Sequence, residues 1–387
     1  MKLLLITNLY PPQELGGYGR CMADFAWGLL QRGHQIQVIC NNAPYLGGSG
    51  CGPNGEPVDR SLKLKGNFAN GVQLLQDHGA RAQVDAANYK LIAQRLGAEK
   101  WDGVLLGNLD LLGAEILAPL LATKLPLLHH IGFVSSPYPI EQMPSSPQYK
   151  LLAASAAVRK SLLETGLPVA DAPVVYPGAR VDLFGPPRIS RPLPAQANGT
   201  SERPLRVCFA GLMMASKGPH TLLEAALILR SRGVFVELML AGGNFQGNYT
   251  SQMEQFCSSH GLHNQVRFLS QLTRDQLARF FRVNHVCVFP SIYPEAFGIV
   301  AAEAMASGLA LVSTGVGGAA ELFEDGISGL AYPPGDCNAL ANNLEKLAKN
   351  PTLLLSLQQE GAQRVNQHFS VNTSAKILEE LFNSNKL

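Results

Sequence analysis

Two glutamates on either side of a glycine form the part of this sequence best suited to binding a polar ligand. Glu295 and Glu303 flank Gly298, in a segment that follows an apolar run at residues 286–289. That run is short enough for a buried parallel strand, and residues 299–306 favour a helix. Because helical side chains tilt toward the helix N-terminus, the Glu303 carboxylate should point back toward the loop that holds Glu295. The sequence therefore predicts two carboxylates beside one helix N-terminus.

A helix N-terminus with two nearby carboxylates has the chemistry to bind a nucleotide diphosphate sugar. The free N–H groups at residues 296–299 and the positive end of the helix dipole favour an anion such as phosphate. The sugar hydroxyls and the ribose diol, at the two ends of such a molecule, can each donate hydrogen bonds to a carboxylate. The alternative is that Glu295 is a solvated loop acid and Glu303 a charge on the helix surface. The combination of glycine, helix start and spacing favours ligand binding.

The motifs around the two glutamates resemble the Glu-x7-Glu signature of the family-four retaining glycosyltransferases, which have the GT-B fold. The matching residues are Pro290-Ser291, Glu295-x-Phe297-Gly298, Glu303-Ala-Met-Ala, Gly308, Gly317-Gly318 and Glu321. The match extends through Asp325-Gly326 and Gly329 to Pro333, and back to Lys217-Gly218. With weaker motifs at both ends, it covers nearly the whole chain. It is specific for the family and says little about the sugar or the acceptor.

The resemblance implies an α/β protein with the GT-B fold, in which two Rossmann-like domains face each other across a deep cleft. We expect an N-terminal acceptor-side domain at residues 1–184 and a nucleotide-sugar-binding domain at residues 205–365. The proline-rich segment 185–204 would be the linker between them. Residues 366–387 would form a C-terminal helix that crosses back to the first domain. The alternation of predicted strands and helices independently favours parallel sheets.

The resemblance also implies the reaction. A hexosyl group would move from a nucleotide-diphosphate sugar, with a UDP-sugar expected, to a hydroxyl of a carbohydrate, lipid-linked or small-molecule acceptor. The configuration at the anomeric carbon would be retained. No cofactor is expected beyond the nucleotide sugar itself. No metal is expected either, because the chain has no Asp-x-Asp pair to present two carboxylates to one cation.

The resemblance assigns roles to individual residues. Glu295, Lys217 and His130 would be catalytic. The predicted donor-binding residues are Gly16, Gly17, Gly211, Lys217, Ser270, Leu272, Glu295, Ala296, Phe297, Gly298, Ile299, Val300 and Glu303.

Two positions depart from the family pattern. Leu212 stands where the family usually has an arginine on the diphosphate, and Arg20 and Arg180 are candidates to replace that charge. The family's usual histidine position falls nearer Gly132 than His130. His130 is therefore either a sugar-contacting residue or a histidine of the core or a loop.

Three other functions remain to be compared. A glycosidase also uses two carboxylates, but its acids must lie on either side of a glycosidic bond, and this function does not explain the helix N-terminus or Lys217. An epimerase or phosphorylase could share the GT-B fold. A sugar-nucleotide-binding protein without catalysis is the third alternative, favoured by Leu212 and Gly132.

The glycine-rich loop near the N-terminus invites a dinucleotide-binding interpretation, which the sequence disfavours. Gly16, Gly17 and Gly19 follow the first predicted strand, but Met22 stands where the third fingerprint glycine would fall. The second strand ends at residues 40–42 without an acid for an adenosine ribose. The resemblance instead places this loop beside the donor phosphates and the acceptor. The alternative is that the glycines only form a tight turn.

Composition excludes some partners and compartments. The net charge is +2 and the isoelectric point about 8.1, so the sequence does not indicate nucleic-acid binding. The seven cysteines form no Cys-x-x-Cys pair, which favours reduced thiols and a cytoplasmic location. No apolar stretch reaches the roughly 18 residues of a membrane span. The sequence leaves contact with a membrane surface open.

The expected elements of the first domain include a helix from Tyr149 to Leu163 and a strand from Pro173 to Tyr176. Both expectations rest on apolar patterning alone.

Overall fold

A computed structural model describes residues 1–69, 71–185 and 197–384 of the chain. These residues form two compact units, one made of Met1–Pro177 with the segment from Val371 onward, the other of Gly178–Ser370. Most of the predicted linker, 185–204, lies outside the described residues.

The secondary structure alternates between strands and helices in both units. The strands are β1 (Lys2–Ile6), β2 (Gln35–Asn41), β3 (Val58–Leu62), β4 (Gly66–Asn67), β5 (Gln73–Leu74), β6 (Gly103–Leu106), β7 (Leu127–Ile131), β8 (Tyr149–Ala153), β9 (Leu205–Ala210), β10 (Val236–Ala241), β11 (Val266–Leu269), β12 (Val286–Phe289), β13 (Ala310–Ser313) and β14 (Leu330–Ala331). The helices are α1 (Tyr18–Gln31), α2 (His78–Ala98), α3 (Leu117–Leu121), α4 (Ala156–Glu164), α5 (Val181–Phe184), α6 (His220–Ser231), α7 (Tyr249–Ser259), α8 (Arg274–Arg282), α9 (Ile299–Ala306), α10 (Cys337–Lys349), α11 (Pro351–His368) and α12 (Val371–Ser384).

The first unit is built on a six-stranded sheet in the order β3-β2-β1-β6-β7-β8. Its neighbouring strands pair in parallel. The central strands β1 and β6 are apolar along almost their whole length and nearly fully buried, as expected of strands covered by helices on both faces. The short strands β4 and β5 form a separate antiparallel pair.

The helix predicted from Tyr149 to Leu163 is wrong in its first half. Residues 149–153 form the edge strand β8, which pairs with β7, and the helix α4 begins only at Ala156. Ser155 ends the extended segment and caps the helix by accepting a hydrogen bond from the N–H of Val158. The strand predicted at 173–176 is reduced to a single bridge between Ala153 and Val174.

The last helix, α12, packs against α1 within the first unit. The contact is close, since a Cβ atom added at Gly28 of α1 would lie 2.6 Å from the Cβ atom of Ala375. Phe382 is fully buried, and its ring lies over Gly103 at the start of β6. The residue at position 28 is therefore restricted to glycine by helix packing rather than by backbone conformation.

The second unit repeats the architecture with the order β11-β10-β9-β12-β13-β14, again with parallel pairing. It begins at Gly178, before the predicted boundary at residue 184. The reason is packing: the ring of Phe184 in α5 lies 6.1 Å from that of Phe281. The Arg282 guanidinium also donates to the carbonyl of Leu183 over 2.7 Å.

Candidate functional site

Four loops meet at the carboxyl edge of the second sheet, where parallel strands leave room for ligands. The loops are residues 211–218 after β9, 242–247 after β10, 290–298 after β12 and 314–318 after β13. Backbone hydrogen bonds join them. The N–H of Met213 donates to the carbonyl of Gly243, and the N–H of Ile292 to the carbonyl of Ser216, both over 2.9 Å. The loops are therefore held together as one surface.

This surface brings Lys217 and Glu295 into direct contact. The Lys217 Nζ atom lies 2.6 Å from Glu295 Oε1. The Ser291 hydroxyl donates to the same carboxylate oxygen. The lysine side chain is 31% exposed and the glutamate 14%, so the pair lies at the surface of this sheet edge, where a ligand can reach it. Two of the three predicted catalytic residues thus meet at one point.

Gly317 fixes the backbone beside Glu295. The N–H of Glu295 donates to the carbonyl of Val316, and the N–H of Gly318 donates to the carbonyl of Glu295. Gly317 has φ of +69°, and a Cβ atom there would lie 2.5 Å from the carbonyl oxygen of Glu295. Both the backbone conformation and the space therefore require glycine.

We predict that Gly317→Ala destabilises the protein more than the matched variant Gly326→Ala. Gly326 also has positive φ but has open space around it, so its replacement should lower the free energy of unfolding by about 1–2 kcal/mol. Gly317→Ala should cost a further ~1–3 kcal/mol, because packed backbone must move. Denaturant unfolding of both variants measures the difference. Equal losses would mean that only the backbone conformation at Gly317 matters.

The helix α9 starts at this surface, as the sequence predicted. Its N-cap residue Gly298 has φ of +104°, a conformation that other residues rarely adopt. Phe297 is buried and anchors the turn, whereas Ala296, Ile299 and Val300 are half-buried. The first N–H groups of a helix have no partner within it and carry the positive end of the dipole. The start of α9 can therefore bind an anion.

Glu303 lies within α9 and is fully buried. Its Oε1 atom is 3.1 Å from Nη2 of Arg274, the first residue of α8. The Arg274 side chain is 23% exposed and its guanidinium lies over the ring of Phe184, 5.7 Å from the centroid. A carboxylate this deeply buried requires a charged partner. Sequence reasoning missed Arg274 as part of the site.

The remaining predicted donor-binding residues of the second unit lie on the same sheet edge. Ser270 and Leu272 form the turn between β11 and α8, with Ser270 exposed and Leu272 half-buried. Gly211 follows β9, and its carbonyl oxygen lies so close to Gly242 that a Cβ atom there would be 1.7 Å away. Leu212 is half-buried.

Both arginines that could replace the missing family arginine already have a carboxylate partner. Arg180 forms two hydrogen bonds to Asp182, of 2.8 and 2.7 Å. Arg20, in the first unit, lies 3.4 Å from Glu14.

Gly16 and Gly17 lie in the loop between β1 and α1 of the first unit. Gly16 has φ of +69°, and Gly17 is the N-cap of α1. Both are exposed, so their backbone is open to a ligand on this side of the first unit.

His130 is fully buried at the end of β7. Its Nε2 atom is 2.8 Å from the carbonyl oxygen of Val175, and its Nδ1 atom is 3.0 Å from the hydroxyl of Tyr18. Burial lowers the pKa of the ring to about 4, so the ring is neutral at neutral pH. Both nitrogens are engaged inside the first unit. Its catalytic role stays a prediction, and the geometry favours a positioning role.

Tyr18 occupies the place beside Gly132, the position nearest the family's histidine. A Cβ atom at Gly132 would lie 1.9 Å from the Tyr18 ring. The Tyr18 hydroxyl donates to the carbonyl of His130, and the two rings stack with centroids 5.8 Å apart. A side chain at position 132 would therefore clash with the Tyr18 ring, so this conformation of Tyr18 requires glycine at 132. The sequence showed the departure at Gly132 but carried no signal for its cause.

Within residues 1–69, 71–185 and 197–384, no group of three or more His, Cys, Asp or Glu side chains is placed to hold a metal ion. None of the described helices combines the length and apolar character required to cross a membrane.

Comparisons with known proteins agree with this architecture. Residues 191–364 match the family described as glycosyl transferases group 1. The D-inositol 3-phosphate glycosyltransferase of Arthrobacter sp. (strain FB24) is 33% identical over 179 residues, which are 46% of this chain and 42% of that protein. The chain spans about half of the length of such curated relatives.

Two solved structures match along nearly the whole chain. The Anabaena protein Alr3699/HepE, in complex with UDP, has a TM-score of 0.75 at 20% identity, covering 99% of this chain and 100% of that one. A glycosyltransferase from Rickettsia africae ESF-5 has a TM-score of 0.77 at 18% identity, covering 99% and 98%. The predicted fold class and family resemblance are confirmed. The chain therefore has the GT-B fold, and its residues 191–364 match the family of glycosyl transferases group 1.

Proposed function

We propose that this protein is a retaining glycosyltransferase that moves a hexosyl group from a UDP-sugar to an acceptor hydroxyl without a divalent metal. The observation that carries the proposal is the meeting of Lys217, Glu295 and the start of α9 at one sheet edge. The UDP held by the Anabaena neighbour supports the choice of nucleotide. The names of the curated relatives support the transfer of a sugar.

Each part of the donor has a matching group in the second unit. The diphosphate would accept hydrogen bonds from the first N–H groups of α9 and from Lys217. Glu295 would accept hydrogen bonds from the hexosyl hydroxyls, and Glu303 from the ribose diol. The turn at Ser270 and Leu272 would hold the base through backbone groups. Because Glu303 is fully buried, ribose recognition requires the hydroxyls to reach it beside Arg274.

Retention follows most simply from a reaction on one face of the sugar. The bond between the anomeric carbon and the β-phosphate oxygen breaks while the acceptor oxygen approaches from the same side. The departing phosphate oxygen takes the acceptor proton, so no protein nucleophile is required. The negative charge that grows on the diphosphate is stabilised by Lys217 and by the helix N-terminus, which are already oriented before reaction.

The remaining features of the proposal concern partners and compartment. The acceptor is a carbohydrate, a lipid-linked sugar or a small molecule. The seven cysteines are free thiols, which supports a reducing compartment such as the cytoplasm.

The experiment that tests the function is incubation with UDP-glucose and a panel of other nucleotide sugars, scoring release of nucleoside diphosphate with and without acceptors. A glycosyltransferase releases the diphosphate faster when its acceptor is present. An epimerase converts the donor without releasing it, and a phosphorylase requires inorganic phosphate. Tight donor binding without any turnover would identify a sugar-nucleotide-binding protein.

We predict that turnover survives removal of divalent metal. Because Lys217 and the start of α9 supply positive potential, exhaustive dialysis against EDTA should leave kcat within about twofold of its starting value. Turnover at saturating donor and acceptor is measured before dialysis, after it, and after addition of Mg²⁺ or Mn²⁺. Activity that vanishes in EDTA and returns with metal would contradict neutralisation by the protein alone, and Leu212 would then be the first position to examine.

A further inference from the structure

A small cleft opens at the carboxyl ends of β6 and β7 in the first unit. It is a shallow, open depression lined by Asn108, Asp110, Phe133, Ser135 and Ser136, among others. These lining residues belong to the first unit alone. In a sheet of parallel strands this end is where ligands bind.

One wall of the cleft is an exposed aromatic ring that is held from behind. Phe133 is 38% exposed. Its ring packs on that of Tyr18, with centroids 5.4 Å apart and a tilt of 40°. Tyr18 is itself fixed by its hydrogen bond to the His130 carbonyl and by its fit against Gly132. The exposed face of Phe133 is therefore presented in one orientation, at little entropic cost to a ligand.

The polar groups of the cleft come from the loop after β6. The N–H of Asp110 donates to Asn108 Oδ1 over 3.0 Å, and Asn108 Nδ2 donates to Asp110 Oδ2 over 3.1 Å. The buried Asn8 donates to the carbonyl of Asp110 over 3.2 Å. The loop is thus held in place while the Asp110 residue remains exposed. A carboxylate and an amide side by side can accept and donate hydrogen bonds to neighbouring hydroxyls.

The charge of the cleft has one sign. Among its described lining residues there is no lysine or arginine, and Asp110 supplies the one carboxylate. His129 and His130 also line the cleft, but burial lowers the pKa of His129 to about 3 and that of His130 to about 4. Both rings are therefore neutral at neutral pH. A phosphate group would meet a negative potential here and no cation to pair with.

We propose that this cleft receives the acceptor, and that the acceptor is an uncharged pyranose ring rather than a phosphorylated one. The inference rests on the proposed function and names the substrate class of its second substrate. The C–H groups on one face of a pyranose carry small positive charges, which suit the negative face of Phe133. Its hydroxyls suit Asp110, Asn108 and the serines. The Arthrobacter relative is named for a phosphorylated acceptor, and this chain would differ from it.

The test compares neutral methyl pyranosides with the corresponding sugar phosphates as acceptors for the intact protein. Neutral acceptors should have kcat/KM at least tenfold above their phosphorylated counterparts. Phe133→Ala should raise the KM of the neutral acceptor roughly tenfold, equivalent to about 1.4 kcal/mol, because the contact of the ring with the aromatic face is lost. Phe133→Tyr should retain affinity. Tyr89→Ala, which removes another exposed aromatic of the first unit, should change nothing.

A second measurement separates failure of this inference from failure of the proposed function. Saturation-transfer NMR with the methyl pyranosides and sugar phosphates detects acceptor binding without any donor. We expect signals from the C–H protons of a neutral ring that are lost in Phe133→Ala and kept in Phe133→Tyr. Equal or better use or binding of the phosphorylated sugars would overturn the proposal, as would an acceptor affinity that ignores Phe133. Absence of nucleotide-sugar turnover, with neutral rings still bound at Phe133, would overturn only the proposed function.

Discussion

Lys217→Ala is expected to lower kcat roughly 100-fold or more, because a preorganised charge on the leaving group acts mainly in the transition state. In the structure the ammonium is held 2.6 Å from Glu295, at the edge where the donor loops meet. The effect on donor KM should be smaller, since charge grows on the diphosphate only as the bond breaks. Steady-state kinetics with saturating acceptor separates the two parameters.

The contact with Glu295 requires matched variants, because removing the lysine also leaves a carboxylate without its cation. Lys217→Arg keeps the charge and should retain part of the activity. Combining Lys217→Ala with Glu295→Gln removes both charges, and this double variant should be much slower than Glu295→Gln alone if the lysine acts on the diphosphate. A double variant as fast as Glu295→Gln alone would mean that Lys217 only neutralises Glu295. Lys160→Ala, whose parent side chain is 79% exposed in the first unit, is the control.

Glu303→Ala is expected to raise the donor KM roughly 10–100-fold, equivalent to a loss of 1.4–2.7 kcal/mol of binding free energy. The reason is that a ribose diol donates to this carboxylate in the ground state and the transition state alike, so kcat should change less. The structure adds a complication, since Glu303 is fully buried and paired with Arg274. Breaking a buried pair from one side also lowers stability.

The preference of the protein for UDP over deoxy-UDP tests ribose binding directly, because a purely structural role of Glu303 would leave this preference unchanged. Calorimetry compares the Kd of UDP with that of 2′-deoxy-UDP and 3′-deoxy-UDP for the parent protein and for Glu303→Ala. The parent should bind the deoxy nucleotides more weakly, and the variant should lose this discrimination. Arg274→Ala is the matched variant that breaks the same pair from the other side. A variant that loses stability but keeps the full preference for the diol would restrict Glu303 to a structural role.

The second unit was the part most accessible to sequence reasoning. The strand predicted at 286–289 agrees with the structure residue by residue. This run is apolar, bounded by turn residues, and too short for a helix, so pattern and burial give the same answer. The glycines at the start and after the end of α9 fix its limits in the same way. Local signals suffice where each element is buried on both faces.

The strand β8 shows where local signals fail. Residues 149–163 form one continuous stretch of apolar and helix-favouring residues, and the pattern alone does not separate a strand from a buried helix. Pairing with β7 decides the outcome, through the parallel register of Leu127 with Tyr149. That pairing is a tertiary contact, which overrides propensity.

The contacts that complete the candidate site could not be predicted from the sequence either. Arg274 and Glu303 are far apart in sequence, and a helix-capping pattern at Thr273 and Gln276 predicts where α8 begins but not what its first side chain contacts. Tyr18 and Gly132 are still farther apart. Such pairs form only when helices and strands pack together, so they are visible in the three-dimensional structure and not in the sequence.

The position of α12 has a consequence for how the chain is made. Residues 1–177 are synthesised before the second unit and the segment from Val371 after it, yet both belong to one compact unit. Until α12 emerges, the surface of α1 around Gly28 and the rim of β6 at Gly103 lack their apolar cover. The second unit, continuous in sequence, can complete its core during synthesis, whereas the first must wait. The first unit is therefore expected to finish folding after the second, although most of it is translated earlier. In the interval its exposed apolar surface would depend on chaperones that bind nascent chains.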